Sequence, residues 1–399
     1  MKKIGKKYSI TAIEPLFPDQ GMCPQLTDLA TELIAKSSGL ANRLHPIVVT
    51  SLSNLVRSMN CYYSNLIEGH NTHPRDIEKA LAENLSPNPK KRALQLEAKA
   101  HIEVQRLIDS HQIDFSLSSA FICWIHQAFY ERLPEQLLWV NNPDSGKRTK
   151  VVAGQFRQEW VQVGYHIPPG PEDIKSFLER FEQGYQLNPL NKIQRVIAVA
   201  ASHHRLLWIH PFLDGNGRVA RLFSHAFLQH IKIGSSLWSI ARGLARHSNE
   251  YKNKLMEADI ERQGDFDGRG ALSAKGLEHF CIFFLETCLD QIHYMDNLIE
   301  PNKLIQRIEL YVEEEQKLGN LPKGSLALLR EAFFTGEIAR GKASSITGYK
   351  ERQARTILNT LIKAGLLISD TPKSSVKLHF PLDIVERWFP KLYPISDIT

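Results

Sequence analysis

The segment HPFLDGNGRVAR, from His210 to Arg221, concentrates polar residues whose types and spacing could do chemistry. Gly215 and Gly217 flank Asn216 immediately before an apolar helical pattern, so the backbone can turn its N–H groups inward around an anion. The N-terminus of the following helix adds positive partial charge at the same place. We therefore predict a phosphate-binding nest at Gly215–Gly217.

Three charged side chains extend this predicted nest. Arg218 and Arg221 are three residues apart, which places both guanidinium groups on one face of the helix. Guanidinium groups suit two-point binding of phosphate. Asp214 would be repelled by phosphate unless a cation lay between them, so we predict that it binds Mg²⁺.

His210 is the predicted general base of the site. It precedes Pro211, and Phe212 is predicted to anchor the segment in the core. A neutral imidazole accepts a hydroxyl proton near neutral pH, and such help typically accelerates a reaction about 10²–10⁴-fold. With a phosphate nest alongside, these residues predict group transfer from a nucleotide triphosphate to a hydroxyl group.

Other interpretations of these residues are weaker. GNGRVA also fits a dinucleotide-binding fingerprint, but a helical segment precedes it and residues 232–248 contain no Asp or Glu. GEIARGKAS, from Gly336 to Ser344, resembles a P-loop, but Ala343 occupies the position of the Ser or Thr that would bind Mg²⁺. His203 and His204 have no metal-ligand spacing, so we expect them to face the core or the mouth of the site.

The bulk composition is that of a globular protein of roughly two to three domains. Of its 399 residues, 43% are hydrophobic and 23% are charged, and the net charge of +6 is compatible with an anionic ligand. The five cysteines form no C-x-x-C pair, which indicates thiols in a reducing cytoplasm. The N-terminus has no apolar signal-peptide region, and no apolar run is long enough to span a membrane.

Apolar periodicity predicts a mainly α-helical chain. After an extended arm at residues 1–22, helices are predicted at about 52–69, 117–133, 171–183, 192–208, 217–231 and 275–318. Val161, Val163 and Tyr165 alternate with polar or small residues, which predicts a short β-hairpin. Residues 323–399 predict three helices and a hairpin, the order of a winged helix-turn-helix.

The third of these C-terminal helices has a polar face that suits a DNA groove. Arg352, Arg355, Asn359 and Lys363 share this face, and Lys373 and Lys377 lie in the predicted wing, where they could contact phosphates. The alternative is a solvated face on a domain that mediates protein contacts or dimerisation, and fold alone does not decide between these roles.

His210–Arg221 resembles the Fic-family signature H-x-F-x-[D/E]-G-N-G-R-x-x-R at every specified position. The resemblance implies a helical catalytic core, here residues 111–290, that transfers AMP from ATP to Ser, Thr or Tyr of a target protein, which can be the enzyme itself. It implies His210 as base, Asp214 as Mg²⁺ ligand and Arg221 as the arginine nearest the γ-phosphate. Gly215, Asn216, Gly217 and Arg218 would bind the other phosphates.

The resemblance implies further functional positions. Val161, Gln162, Val163 and Gly164 would form a flap that docks the target by adding a strand. Many relatives carry a Tyr-Tyr pair lining the nucleotide where this sequence has Tyr251–Lys252, so the base and ribose contacts differ. Family habit and the long helical stretch 275–318 suggest a homodimer, with residues 291–322 as a linker.

SNLIEG, from Ser64 to Gly69, resembles the family's inhibitory pattern [S/T]-x-x-x-E-[G/N]. Ser64 and Glu68 are four residues apart, on one face of a helix within the N-terminal region 1–110. The resemblance implies that Glu68 pairs with Arg221 at the γ-phosphate position and inhibits the enzyme; taken alone, Glu68 could be a surface acid. Two other functions remain open: removal of AMP by the same site, and DNA-binding regulation with the core as a nucleotide-dependent, self-modifying switch.

Overall fold

The computed structural model describes residues 8–18, 23–40, 43–141 and 146–394, and these residues are mainly helical. The predicted fold class is therefore confirmed.

The N-terminal arm contains a 3₁₀ turn at Ile10–Ile13, and its remaining predicted residues lie partly outside the described ranges. The helices of the first two thirds are α1 Pro24–Leu40, α2 Pro46–Ile67, α3 Pro74–Leu81, α4 Pro89–Asp109, α5 Ser119–Tyr130, α6 Ile174–Gly184, α7 Lys192–Ile209, α8 Asn216–His230, α9 Ile240–Arg246, α10 Ser248–Asp259 and α11 Ala274–Leu298.

Helices α7 and α8 lie at the centre of this bundle and carry the motif between them. Asn191 and Gln194 form a capping box that starts α7 by satisfying its first N–H groups. The apolar faces of both helices are buried, with Trp208, Phe212 and Phe223 among the largest fully buried side chains. This packing fixes the loop from His210 to Gly215 in position.

The stretch predicted to be helical over 275–318 consists of two helices. α11 ends at Leu298, and α12 runs from Pro301 to Lys317. Pro301 occupies the first turn of α12, where its missing N–H is tolerated, but it cannot continue α11. The apolar residues of α11 are buried within this chain, so α11 does not present them to a second copy.

The predicted flap hairpin is reduced to a single bridge, and the two-stranded sheet lies earlier in the chain. Strand β1 at Trp139–Asn141 pairs antiparallel with β2 at Arg148–Lys150. Val163 and His166 form one isolated antiparallel bridge. Pro168 and Pro169 follow directly and have no N–H to extend that ladder.

The C-terminal unit contains three helices followed by a hairpin, and it also contains a strand between the first two helices and a final helix that were not predicted. It consists of α13 Ser325–Thr335, β3 Glu337–Ile338, α14 Ala343–Thr347, α15 Glu351–Lys363, β4 Leu367–Ile368, β5 Val376–Leu378 and α16 Leu382–Trp388. Its three strands form an antiparallel sheet in the order β3-β5-β4. Across the described residues, every helix is too short or too polar to cross a membrane.

Candidate active site

His210 ends α7 in an unusual backbone conformation. Its φ of 49° and ψ of 61° lie in the left-handed region, which is uncommon for a residue with a side chain. Pro211 follows and disfavours the helical region for His210, so the chain leaves the helix axis here. Burial first, and then the charge of Arg157, lowers the pKa of His210 to about 4. Its imidazole is therefore neutral at neutral pH.

Arg157 hydrogen-bonds to the backbone at His210 and Pro211. Its Nε donates to the His210 carbonyl at 2.7 Å, and its Nη2 donates to the Pro169 carbonyl at 2.5 Å. The Arg157 main-chain N–H donates to the Pro211 carbonyl at 3.0 Å. Arg157 is buried, so one guanidinium ties the motif loop to the base of the flap segment.

The nest is predicted at the turn from Asp214 into α8. Gly215 has a φ of 82°, and a Cβ there would approach the Tyr130 ring to 2.8 Å, so only glycine fits. Asn216 does not offer its side chain to a ligand: its Oδ1 accepts from Phe212 N–H at 2.9 Å and its Nδ2 donates to the Phe212 carbonyl at 2.8 Å. The first main-chain N–H groups of α8 have no intrahelical acceptors, which is the condition that an anion-binding helix N-terminus requires.

Asp214 is held by two aromatic residues of α5. Tyr130 Oη donates to Asp214 Oδ2 at 2.7 Å. His126 Nδ1 accepts from Gly154 N–H at 2.9 Å, so its Nε2 carries the proton and faces the Asp214 carbonyl at 3.3 Å. Burial opposes ionisation of Asp214, but Arg218 and the Tyr130 hydroxyl outweigh it and keep its pKa below the usual value.

Arg218 lies in a buried ion-pair network with α4. Its Nη1 donates to Glu97 Oε1, and its Nη2 lies 3.4 Å from Asp214 Oδ2. His70 Nδ1 contacts the other Glu97 oxygen at 2.8 Å. The Arg218 Nε is buried and has no hydrogen-bond partner among the described residues.

The Arg221 guanidinium is hydrogen-bonded to residues at the C-terminal end of α2. Its Nε donates to Ser64 Oγ at 2.9 Å, and its Nη2 donates to the Ser64 carbonyl at 3.0 Å and to Glu68 Oε1 at 2.5 Å. Burial disfavours the charged form of Glu68, but the neighbouring Arg221 outweighs it and lowers the Glu68 pKa. A Cβ at Gly217 would overlap Glu68 Oε1, so this glycine lets the carboxylate lie over the start of α8.

Tyr251 and Lys252, both predicted to contact the nucleotide, point in different directions. The Tyr251 side chain is buried, with Oη 2.6 Å from His203 Nε2, and it lies close to Arg221. Tyr251 therefore supports Arg221 from the core instead of lining an open pocket. Lys252 is exposed on α10 and makes no ion pair with another described residue.

The flap segment lies at the surface beside a cavity. Gln162, Val163 and Gly164 are exposed, Val161 is half-buried, and the Tyr165 side chain is 93% exposed. A cavity of about 610 Å³ extends from Tyr165 and His166 to Trp208 and to Asp259 of α10. His166 joins the segment to the helix before the motif, with Nε2 2.7 Å from the Trp208 carbonyl.

The residues present fit a magnesium ion bound with substrate. The Asp214 side chain is 46% exposed and ionised, and Mg²⁺ usually takes one or two carboxylates plus waters and phosphate oxygens. Among the described residues, no three His, Cys, Asp or Glu side chains cluster into a site that binds a metal without substrate.

Sequence reasoning missed the residues that position this site. Glu97, Tyr130, His126 and Arg157 come from α4, α5 and the segment before the flap, all distant in sequence from the motif. None lies in a local pattern that marks it. Their polar groups can be recognised as part of the site only in the folded structure, where they contact Asp214, Arg218 and the His210 carbonyl.

Comparison with known proteins agrees with this geometry. The Fic/DOC family model matches residues 116–228, which include α5, the flap segment, α7 and most of α8. This segment is therefore similar to the Fic/DOC family. A stretch of 78 residues is 42% identical to the protein adenylyltransferase Fic of Drosophila mojavensis, an alignment covering 20% of this chain and 16% of that protein.

Two further similarities extend beyond residues 116–228. The protein adenylyltransferase Fic of Nematostella vectensis is 28% identical over 248 residues, covering 60% of this chain and 54% of that protein. The chain thus spans about half the length of this curated relative. A Fic family protein from Desulfovibrio desulfuricans has the same fold at 14% identity, with a TM-score of 0.52 over 91% of this chain and 98% of that one.

Proposed function

We propose that this protein transfers AMP from ATP to a Ser, Thr or Tyr hydroxyl of a target protein, and that Glu68 holds it in an inhibited resting state. The observation that carries the proposal is the contact of Glu68 and Ser64 with Arg221, directly over the N-terminus of α8. The similarity to curated adenylyltransferases supports the same activity.

In the proposed transfer reaction, each residue around the nest has its own role. The hydroxyl oxygen of the target attacks the α-phosphorus of ATP, the bond from that phosphorus to the bridging oxygen breaks, and pyrophosphate leaves. The hydroxyl proton passes to the neutral imidazole of His210. The N–H groups of α8 and the Arg218 guanidinium bind the phosphate oxygens as charge builds on them. Asp214 would hold Mg²⁺, which would neutralise phosphate charge.

Inhibition follows from competition for Arg221. Its guanidinium donates three hydrogen bonds to α2, two of them to Ser64 and one to Glu68. A γ-phosphate needs the same donors, and the negative Glu68 carboxylate repels it from that position. ATP therefore binds productively only when Glu68 moves away from Arg221.

The position of the label in ATP tests the transfer directly. The Glu68→Gly variant is incubated with Mg²⁺ and with ATP labelled on either the α- or the γ-phosphate, and protein-bound label is measured, including label on the enzyme itself. AMP transfer predicts retention of the α-label and loss of the γ-label. Retention of the γ-label would instead identify a kinase, and no label on any protein would contradict the proposal.

For the C-terminal unit we propose a winged helix-turn-helix that binds duplex DNA. The Arg352, Arg355, Asn359 and Lys363 side chains are exposed on α15, as a groove-binding helix requires. Lys377, by contrast, is paired with Asp370 at 2.8 Å. Gel shifts with random duplex over a range of salt concentrations test this role. Wild-type binding that weakens with salt and is lost in Arg352→Ala/Arg355→Ala supports it; no shift supports protein contacts.

A further inference from the structure

The chain after α16 lies against the helix that carries Glu68. We call Pro390–Tyr393 the C-terminal strap. The carbonyls of its first three residues each accept a hydrogen bond from a different helix of the core. Tyr294 Oη of α11 donates to Pro390 at 3.1 Å, Arg242 Nη2 of α9 donates to Lys391 at 2.8 Å, and Tyr63 Oη of α2 donates to Leu392 at 3.1 Å.

These three donors form one buried cluster beside the strap. The Arg242 guanidinium stacks on the Tyr294 ring at 3.6 Å and lies 5.9 Å from the Tyr63 ring. The fourth strap residue, Tyr393, packs edge-on against Tyr62 with ring centroids 5.5 Å apart. The strap is therefore seated by hydrogen bonds along its backbone and by ring packing at its end.

The contact on α2 is next to the inhibitory residues. Tyr63 directly precedes Ser64, whose hydroxyl and carbonyl bind Arg221, and Glu68 caps the same helix one turn later. Adjacent residues at the end of one helix thus bind the strap and the phosphate-site arginine. A displacement of α2 at Tyr63 must change the position of Ser64 and Glu68 as well.

Two cavities border the strap and leave room for such a displacement. One, of about 270 Å³, is lined by Tyr63, Leu66 and Arg246; the other, of about 340 Å³, lies between α2, α3 and residues His379 and Phe380. Tyr393 lines both. Protein cores are normally close-packed, so empty space on both sides of one ring lets the strap and the end of α2 shift without overlapping their neighbours.

We propose that the C-terminal strap regulates the active site through α2. When the strap is bound to the core, it holds the end of α2 so that Glu68 stays paired with Arg221. When the strap dissociates, the end of α2 can move, and Arg221 becomes free to bind phosphate. The inference rests on the proposed inhibition and adds the element that controls it. The C-terminal unit thereby becomes the input domain of the enzyme, since α16 connects it directly to the strap.

Removal of a single hydroxyl group tests this link. Tyr63→Phe deletes the hydrogen bond to the strap and keeps the ring. Tyr185→Phe is the matched control, because Tyr185 Oη also donates to a distant carbonyl, that of Leu16 at 2.7 Å, away from α2 and the active site. Tyr393→Ala, which removes the ring between the cavities, is the stronger variant. Two quantities are measured: amide hydrogen exchange of residues 64–69 and the affinity for Mg²⁺-ATP by calorimetry.

We expect faster exchange of residues 64–69 in Tyr63→Phe and Tyr393→Ala but not in Tyr185→Phe. We also expect tighter ATP binding, by up to about fivefold for Tyr63→Phe, which is the effect of one ordinary hydrogen bond. In a Glu68→Gly background the affinity gain should vanish, because no inhibitory carboxylate remains to be released.

Two results would overturn the proposal. One is exchange in both strap variants equal to that of Tyr185→Phe. The other is an affinity gain that persists in the Glu68→Gly background, because the strap would then act without the inhibitory residue. If no variant bound ATP, even with Glu68→Gly, the proposed function would fail instead, and hydrogen exchange alone would decide whether the strap holds α2.

Discussion

Glu68 Oε1 lies 2.5 Å from Arg221 Nη2, although 153 residues separate them in the chain. The Arg221 side chain is only 3% exposed, so its charge needs a partner at all times. In the resting structure that partner is α2, and during the proposed reaction it is the γ-phosphate. In the proposed function, inhibition and substrate binding therefore use the same donors and exclude each other.

Substitutions of Glu68 that remove more of its interaction with Arg221 should raise the affinity for ATP more. Glu68→Gly should tighten Mg²⁺-ATP binding roughly 10- to 150-fold, since a hydrogen bond to a charged group contributes about 1.5–3 kcal/mol. Glu68→Gln, which keeps the shape and removes the charge, should fall between wild type and Glu68→Gly. Calorimetry measures all three. Equal affinities would show that Glu68 does not compete with the nucleotide.

The pH dependence of transfer should reflect the lowered pKa of the His210 imidazole. A base acts only when deprotonated, and burial lowers the His210 pKa to about 4. Activity should therefore persist as pH falls below 6.5 and decline only as it approaches 4. The measurement is kcat/KM against pH in the Glu68→Gly variant, which reports the free enzyme without titration of the inhibitory acid. A decline centred near pH 6.5 would contradict the account.

Tyr130→Phe tests the support of the predicted magnesium ligand. Loss of the hydroxyl that donates to Asp214 at 2.7 Å should weaken Mg²⁺ binding about tenfold or more, which is the usual effect of removing a group that orients a metal ligand. Transfer should then need a correspondingly higher Mg²⁺ concentration. Transfer rates are measured while Mg²⁺ is titrated, with Tyr185→Phe as control. An unchanged Mg²⁺ requirement would show that Tyr130 does not orient Asp214 for metal binding.

Glu97→Gln tests the ion pair that holds Arg218. Breaking a buried pair leaves one charge uncompensated and costs about 3–5 kcal/mol of folding free energy, and Glu97 is one of the two carboxylates that contact Arg218. Denaturant unfolding measures this loss. Glu135→Gln, which breaks the exposed pair with Lys150, is the control and should unfold like wild type. Similar curves for both variants would refute the role of Glu97.

Local spacing predicted the parts of the site that depend on a single turn. Gly215 and Gly217 form the turn into α8, and Arg218 and Arg221 share one helix face because α8 begins at Asn216. The pattern in SNLIEG also identified Ser64 and Glu68, which lie in contact with Arg221. These features follow from residue types a few positions apart.

Interactions between distant segments were not predictable in the same way. Tyr130 and Glu97 reach Asp214 and Arg218 only because α5 and α4 pack against α8, and a single sequence does not encode such a pairing in any local pattern. The flap hairpin predicted at Val161–Gly164 is limited to one antiparallel bridge, between Val163 and His166, for a related reason. Alternating apolar residues predict a strand, but the prolines that follow His166 deprive the ladder of donors.

The most direct test of the account is the rate of AMP transfer in four purified proteins: wild type, Glu68→Gly, His210→Ala and the double variant. ATP labelled on the α-phosphate is supplied with Mg²⁺, and label on protein is followed over time. We predict slow labelling by wild type, labelling faster by at least about tenfold in Glu68→Gly, and none in either protein that lacks His210. Equal rates in wild type and Glu68→Gly, or labelling without His210, would contradict the central claim.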